Sequence, residues 1–377
     1  MKLALFLLIS FSFFLEAREI PLNSSKVCQK CHPLIYKEFK ESMHAKASIF
    51  NDPVHKAIWE RHPAKKKENY KCKKCHTPVD TQLKGLPKPN EIQLHEPISC
   101  VYCHRIKSIE EHTKSNTNVL DKRGDVLFGA RESQKGEKAV EFGVKSSFFG
   151  LVTKEHGSPF HKIDFSNENF YNGKLCMGCH SHKQNAHGFN VCKMDAPLDE
   201  KQNCITCHMP KVKGSFSTIK KTPTHRFHGF AGVSSNPELL SKYVDLKLGQ
   251  NKNGWYIEVH NKATHELFLH PMRLGELHIY KEREGKRELL KTVRFFKLLG
   301  TNNQPSPPWA ATQVLKNTHL KANEKRRYSI GKLQKGDRIE VELGYYKVNP
   351  KIAKKLGLKE KELIRFRVLK HLNREIR

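Results

Sequence analysis

The spacing of apolar residues changes along the chain, from a helical period near the N-terminus to strand-like alternation near the C-terminus. Residues 33–48 open with a proline, which favours the first turn of a helix, and continue with apolar residues three and four positions apart. A second helix is predicted to begin after Asp52, whose side chain can cap the turn that starts at Pro53, and to end near Arg61.

The strand-like segments lie within residues 240–377. They are rich in β-branched and aromatic residues and cover 256–259, 274–280, 293–299 and 338–346. In the last of these, Ile339, Val341 and Leu343 alternate with polar or charged residues, which predicts a half-buried strand. Residues 364–368 alternate in the same way and are predicted to form a closing strand. The pattern as a whole predicts a small antiparallel β-sandwich.

An apolar run at residues 3–15, interrupted only by Ser10 and Ser12, begins the chain. It is too short to span a bilayer comfortably and is typical of a secretory signal peptide. Cleavage is predicted after Ala17, so that residues 1–17 are the signal peptide. Leu15 is larger than the residue usually found three positions before the cut, so an uncleaved N-terminal anchor is the alternative. After signal removal we expect a periplasmic protein with no transmembrane segment.

Five copies of Cys-x-x-Cys-His add a specific chemistry to this picture. The pattern is the attachment signature of haem c, since two thiols bond to one porphyrin and the adjacent histidine gives its iron a proximal nitrogen. The attaching cysteines are Cys28, Cys31, Cys72, Cys75, Cys100, Cys103, Cys176, Cys179, Cys204 and Cys207, and the proximal histidines are His32, His76, His104, His180 and His208. Five covalently attached haems are therefore expected. The alternative, a zinc or disulfide scaffold, is disfavoured by the five repeats of one spacing.

The distribution of cysteine predicts two domains. The chain has 11 cysteines, and after Cys207 there is none. We therefore place a pentahaem domain at 18–232 and the β-sandwich at 240–377, which together give an α+β class. Few residues per haem remain in the first domain, so it is predicted to be loop-rich and mainly helical, with loops and one hairpin over 106–175. The pairs Cys72 and Cys100, and Cys176 and Cys204, are both 28 residues apart, and each is predicted to bring two haems together.

The net charge of +30 narrows the choice of partners. An exported haem protein is not expected to bind nucleic acid, so the charge favours docking to a redox partner protein that is acidic or membrane-bound. A basic, solvated surface without a partner explains the charge equally well.

The second axial position of each iron decides between an electron carrier and a catalyst. The first domain has 11 histidines outside the motifs, more than five irons need. They are His44, His55, His62, His95, His112, His156, His161, His182, His187, His225 and His228.

Several segments resemble multihaem cytochromes c related to the tetrahaem electron carrier of ammonia oxidisers. Residues 42–45 resemble the distal-histidine segment of that superfamily, and residues 76–78 and 103–106 resemble its second and third haem segments. Residues 207–210, followed by 225–229, resemble its last haem and trailing distal histidine. Residues 261–265 and 317–321 resemble the β-sandwich appended to many such proteins.

This resemblance implies distal ligands. His44 and His225 match family positions directly, and His161 lies where another is usual, with His156 as its competitor. His95 is a less typical candidate, and His228 lies outside the usual trailing pattern and would serve a neighbouring haem. The histidines of the sandwich, among them His265, are expected to have polar roles and not to bind iron.

The leading interpretation is a periplasmic pentahaem cytochrome c that carries electrons between respiratory partners. The alternative is a multihaem reductase of a small nitrogen or sulfur oxyanion. Pentahaem nitrite reductases replace one motif histidine with lysine, and all five motifs here end in histidine. A third class is a docking subunit whose sandwich binds a partner complex. Because the sequence leaves these classes open, whether the protein is an enzyme is uncertain, with a carrier favoured.

Overall fold

The computed structural model describes residues 20–23, 25–67, 70–84, 96–147, 152–196 and 198–377. The predicted signal peptide and the candidate ligand His95 lie outside these residues. Within them, no helix has the length and apolar character needed to cross a membrane. Short helices and small sheets make up the first part of the chain and larger antiparallel sheets the last, so the class is α+β, as predicted.

The helices described in the first part of the chain are short. They are α1 Pro33–Glu41, α2 Pro53–Arg61, α3 Lys73–His76, α4 Pro78–Lys84, α5 Cys100–His104, α6 Asn169–Asn172, α7 Met177–His180 and α8 Cys204–His208. α2 has the predicted bounds because Asp52 accepts hydrogen bonds from the backbone of Val54 and His55 and so caps its first turn.

α1 is shorter than the predicted 33–48. Ser42 has an extended backbone, and its hydroxyl donates a hydrogen bond of 2.6 Å to the Phe39 carbonyl, which ends the helix at Glu41. The residues that follow form turns, and His44 lies on one of them.

Two-stranded sheets connect these helices. The strands are β1 Ile106–Glu110, β2 Thr117–Leu120, β3 Val126–Phe128, β4 Gly143–Ser147, β5 Val152–His156, β6 Lys162–Asp164, β7 His182–Gln184, β8 Asn190–Lys193, β9 Lys211–Lys213 and β10 Thr224–Arg226. β1 pairs with β2, β4 with β5, β7 with β8 and β9 with β10, all antiparallel, while β3 and β6 are parallel. The described residues between 106 and 175 therefore form more strands than the loops with one hairpin predicted for them, since backbone polar groups away from water need partners.

The last part of the chain forms a sandwich of antiparallel sheets. Its strands are β11 Val244–Asn251, β12 Gly254–Asn261, β13 Leu274–Arg283, β14 Lys286–Phe295, β15 Lys297–Thr301, β16 Gln304–Pro305, β17 Gln313–Asn317, β18 Lys325–Gly331, β19 Arg338–Tyr346 and β20 Arg367–Glu375. The sheets have the orders β11-β12-β18, β14-β13-β19-β20 and β16-β15-β17. Fully buried Ile257 of β12 packs in one cluster with Leu277 of β13 and Val341 of β19, so the core lies between the first two sheets.

Two strand predictions need correction. The closing strand is β20 and not residues 364–368, because a helix, α10 Lys361–Ile364, which follows α9 Pro350–Leu356, occupies the start of that segment. The predicted strand 293–299 is two strands, β14 and β15, which separate at Phe296. There the backbone of Phe296 bonds the side chain and backbone of Thr318.

Candidate haem sites

Four of the five haem attachment motifs lie on single helical turns that end at the proximal histidine. α3, α5, α7 and α8 each end at a motif histidine, while Cys28 lies on the 3₁₀ turn Ser25–Lys30 that precedes α1. The turns are capped by neighbouring side chains: Ser99 accepts the N–H of Tyr102 at the start of α5, and Asn203 forms a capping box with Thr206 at the start of α8. The helical turn places both thiols and the histidine of a motif on one side.

Four of the proximal histidines are oriented by backbone carbonyls. Nδ1 of His32, His104 and His208 donates to the carbonyls of Phe216, Phe128 and Ala231, each at 2.6 Å, and Nδ1 of His76 donates to that of Ala47 at 3.2 Å. A proton held on Nδ1 leaves the lone pair of Nε2 available to a metal, and such carbonyl partners fix metal-binding imidazoles in many proteins.

Burial keeps several proximal histidines neutral, which is the protonation state that binds iron. It lowers the pKa of His76 to about 3, and lowers the pKa of His104, His180 and His208 as well.

The cysteines of different motifs contact one another. The cysteine pairs close enough for their charges to interact across motifs are Cys28 and Cys100, Cys75 and Cys179, and Cys176 and Cys204. The first motif is therefore beside the third, the second beside the fourth, and the fourth beside the fifth. The 28-residue spacing predicted the last of these neighbours correctly. Cys100 also lies beside Cys28, because the backbone N–H of Cys100 donates to the Ser25 hydroxyl at 3.0 Å.

Three proximal histidines face a second histidine across a gap of similar width. The ring centroids are 6.0 Å apart for His180 and His44, 6.4 Å for His104 and His228, and 6.1 Å for His208 and His265. Two metal–nitrogen bonds of about 2.0–2.1 Å, added to the distance from each nitrogen to its ring centre, separate the two axial rings of an iron by about 6 Å. All three gaps thus fit a six-coordinate iron.

The second histidines of these pairs are held in ways that suit a ligand. Nδ1 of His228 donates to the Arg226 carbonyl at 2.7 Å, and Nδ1 of His265 donates to the Glu266 carbonyl at 2.8 Å, so both present Nε2. Burial lowers the pKa of His44 and of His228 to about 3, so both rings are neutral. His44 also keeps a buried Nδ1 without a hydrogen-bond partner among the described residues.

The structure places His225 differently from its neighbour His228. Its Nε2 lies 2.9 Å from a carboxylate oxygen of Glu38, and its Nδ1 lies 3.0 Å from the carbonyl of Gly214. Both ring nitrogens therefore have oxygen partners within the protein, and His228 is the one that faces a motif histidine.

Two further candidates, His161 and His55, lie near the first three motifs. His161 lies near enough to His32 and His104 that, after burial, their charges contribute to lowering its pKa. His55 packs against His76 with ring centroids 4.0 Å apart, which leaves no room for an iron between them. Nδ1 of His55 and Nδ1 of His76 both hydrogen-bond the carbonyl of Ala47, so the two rings lie on the same side of Ala47.

The sequence predicts a polar role for His265, and the structure places it beside the motif histidine His208. Sequence reasoning missed it because it lies 57 residues after His208, on a loop between β12 and β13. The feature of the sequence that could have indicated this role is the position of His265 at the end of the 261–265 segment, which begins with the buried Asn261.

The comparisons with known proteins agree with this geometry. A family model described as "Cytochrome c554 and c-prime" matches residues 27–105. The crystal structure of a penta-heme cytochrome c552 from Thermochromatium tepidum is similar to this one, with a TM-score of 0.69 and 22% sequence identity over 95% of this chain and 100% of that chain. No curated protein sequence is significantly similar. At this identity the structural likeness shows the fold, and together with the family match and the cysteine motifs it supports haem c as the cofactor.

Proposed function

We propose that this multihaem cytochrome c is a pentahaem electron carrier of the periplasm. Haem c supplies a one-electron couple at each iron. The observation that carries the proposal is the set of three histidine pairs about 6 Å apart, because an imidazole on each side of an iron would fill both axial positions and leave none for a substrate.

The count of five rests on the five motifs, each with two cysteines and a histidine. Of the distal ligands inferred from the sequence, we propose His44 opposite His180 and His228 opposite His104. His161 is proposed for the first site, where His32 is its neighbour. His225 is not retained, since its ring nitrogens bond Glu38 and Gly214.

The thiol contacts suggest an electron route. The neighbours are the first and third sites, the second and fourth, and the fourth and fifth. The amide of Asn118 donates to the hydroxyl of Tyr102, on the third motif, at 3.1 Å and to the sulfur of Cys179, on the fourth, at 3.6 Å, which brings the third site next to the fourth. The fourth site is thus a junction, and the route branches there instead of following a single row.

Export and partner choice complete the proposal. An apolar N-terminal run and the need for covalent haem attachment favour the periplasm. The net charge of +30 favours an acidic redox partner or an anionic membrane surface over a neutral one.

A reductase of a small oxyanion is the second candidate, and the second site favours it. The ring contact of His76 is with His55, which is too close to accept an iron between them. His270 lies within electrostatic range of His76, but its Nδ1 accepts the N–H of Met272, so the neutral ring carries its proton on Nε2 and has no lone pair to offer there.

Ligand binding to the purified, reduced protein separates the two candidates. If the protein is a carrier, rapid binding of carbon monoxide is not expected. Its haems should be reduced reversibly over a wide range of potential. Rapid binding of one carbon monoxide per chain, with turnover of nitrite, hydroxylamine or sulfite, would establish the reductase. Intact mass checks the count, and a mass with four haems would refute five.

A further inference from the structure

We propose that His265, from the sandwich, is the distal ligand at the fifth haem site, so that one iron binds both domains. The rings of His208 and His265 are within 14° of parallel, with centroids 6.1 Å apart. Each Nδ1 is held by a carbonyl, of Ala231 at 2.6 Å and of Glu266 at 2.8 Å, which leaves both Nε2 atoms for the metal. The inference rests on the proposed haem attachment at this motif.

The loop that bears His265 is fixed in advance by Asn261, which is fully buried at the end of β12. The amide of Asn261 donates to the His265 carbonyl at 2.9 Å and to the Lys321 carbonyl at 2.8 Å, and its oxygen accepts the N–H of Ala263 at 3.1 Å. A loop that already has its partners loses little conformational freedom when its histidine binds a metal.

A second contact joins the sandwich to the same motif. The Tyr243 side chain lies close enough to Cys207, one of the two attaching cysteines, for the two to interact, and the Tyr243 carbonyl accepts the N–H of Lys262, three residues before His265. The sandwich therefore approaches the fifth site from two sides, at the attaching cysteine and at the distal histidine.

The connector between the domains is anchored at the same place. The backbone N–H of Ala231 donates to the His208 carbonyl at 2.8 Å, while the buried Tyr345 of β19 donates from its hydroxyl to the Val233 carbonyl at 2.9 Å. The chain leaves the first domain directly at the fifth motif, so a bond from His265 to the iron closes a short bridge between the domains. It makes the sandwich part of the redox unit.

The experiment compares the full-length holoprotein with His265→Ala and with the matched control His260→Ala, which removes a histidine from β12, the strand that precedes the loop of His265. For H265A we expect the intact mass to show five haems. Electron paramagnetic resonance should show that about one fifth of the haem has become high-spin. Added imidazole should return that fraction to low spin. H260A should match the wild type.

Five haems with an unchanged spin state in H265A would overturn this inference but not the proposed function. A wild-type mass lacking the haem of the fifth motif would overturn the proposed function at this site as well. If H265A fails to fold, His265→Met provides the test, because a histidine–methionine pair keeps the iron low-spin and raises its potential. A rise in the potential of one haem supports the assignment, and five unchanged potentials refute it.

Discussion

The carboxylate of Glu38 accepts two hydrogen bonds of 2.9 Å, one from Nε2 of His225 and one from the backbone N–H of His228. Through these bonds α1 fixes the segment that follows β10, and it assigns different tasks to two histidines three residues apart. His225 holds Glu38, whereas His228 is left facing His104.

Replacing these two histidines is expected to give opposite phenotypes. His228→Ala should convert one haem to high spin because the iron held by His104 loses its distal imidazole. His225→Ala should keep every haem low-spin but lower the free energy of unfolding by about 1–3 kcal/mol, because the carboxylate of Glu38 loses one of its two hydrogen-bond partners. Electron paramagnetic resonance and urea denaturation of both variants check the two outcomes. A high-spin signal in H225A and none in H228A would restore the ligand assignment that the sequence suggested.

Cys100→Ser is expected to weaken the attachment of one haem. Serine cannot form the thioether, so the third haem would be held by Cys103 alone and part of it lost. Intact mass under denaturing conditions should show a mixture of five-haem and four-haem chains. Cys192→Ser is the matched control, since Cys192 is exposed and belongs to no motif, and it should retain five haems. A uniform five-haem mass for C100S, as stable to denaturant as the wild type, would contradict the attachment at Cys100.

Leu343→Ala in β19 is expected to destabilise the sandwich. Leu343 is completely buried in the cluster between the two main sheets, and truncations of this kind cost about 2–5 kcal/mol. Val314→Ala, at a valine of β17 that is 46% exposed, should change the unfolding midpoint little. Denaturant titrations followed by tryptophan fluorescence compare the variants, and equal midpoints for L343A and V314A would place the core elsewhere.

The unfolding free energy is expected to fall in acid partly through Asp121. Hydrogen bonds from Arg123 are the largest cause that lowers the pKa of this carboxyl below its ordinary value. The pKa of Asp121 is lower in the folded protein than in the unfolded chain, where it is about 3.9. The stabilisation is therefore present at pH values above the unfolded pKa and is lost as the pH falls through the folded pKa. Asp121→Asn should therefore lower stability at pH 7 and lose less than the wild type on acidification to pH 3. Asp125→Asn, in a separate ion pair with Lys162, provides the comparison. Parallel acid profiles for wild type and D121N would exclude this role.

The sequence predicts features whose physical cause is local. α2 depends on Asp52 and Pro53, and β19 depends on the alternation of Ile339, Val341 and Leu343, so both have their predicted bounds. α1 was predicted too long because the tertiary structure, through Ser42, ended a pattern that could have continued. The end of the chain was misread for a similar reason, since alternation at 364–368 does not distinguish the end of α10 from the start of β20.

The attaching cysteines and the proximal histidine of each site are also determined by local sequence, but the distal histidine is not. A thiol and its histidine are neighbours in sequence, whereas His44 faces a motif 136 residues later and His265 faces one 57 residues earlier. Residue spacing contains no information about such pairs. His225 and His228 show the limit well, because their order in the sequence cannot reveal which one bonds Glu38.

The hydrogen bond from His32 to the Phe216 carbonyl spans 184 residues. If the chain is exported from its N-terminus, Cys28 and Cys31 reach the compartment of haem attachment before Phe216 does. The first haem would therefore be attached to a chain whose proximal imidazole still turns freely, and its orientation would be fixed only when β9 and β10 have formed. During biogenesis, haems would then be attached in the order of the sequence. The final geometry of the first iron would be reached only after the end of the domain has folded.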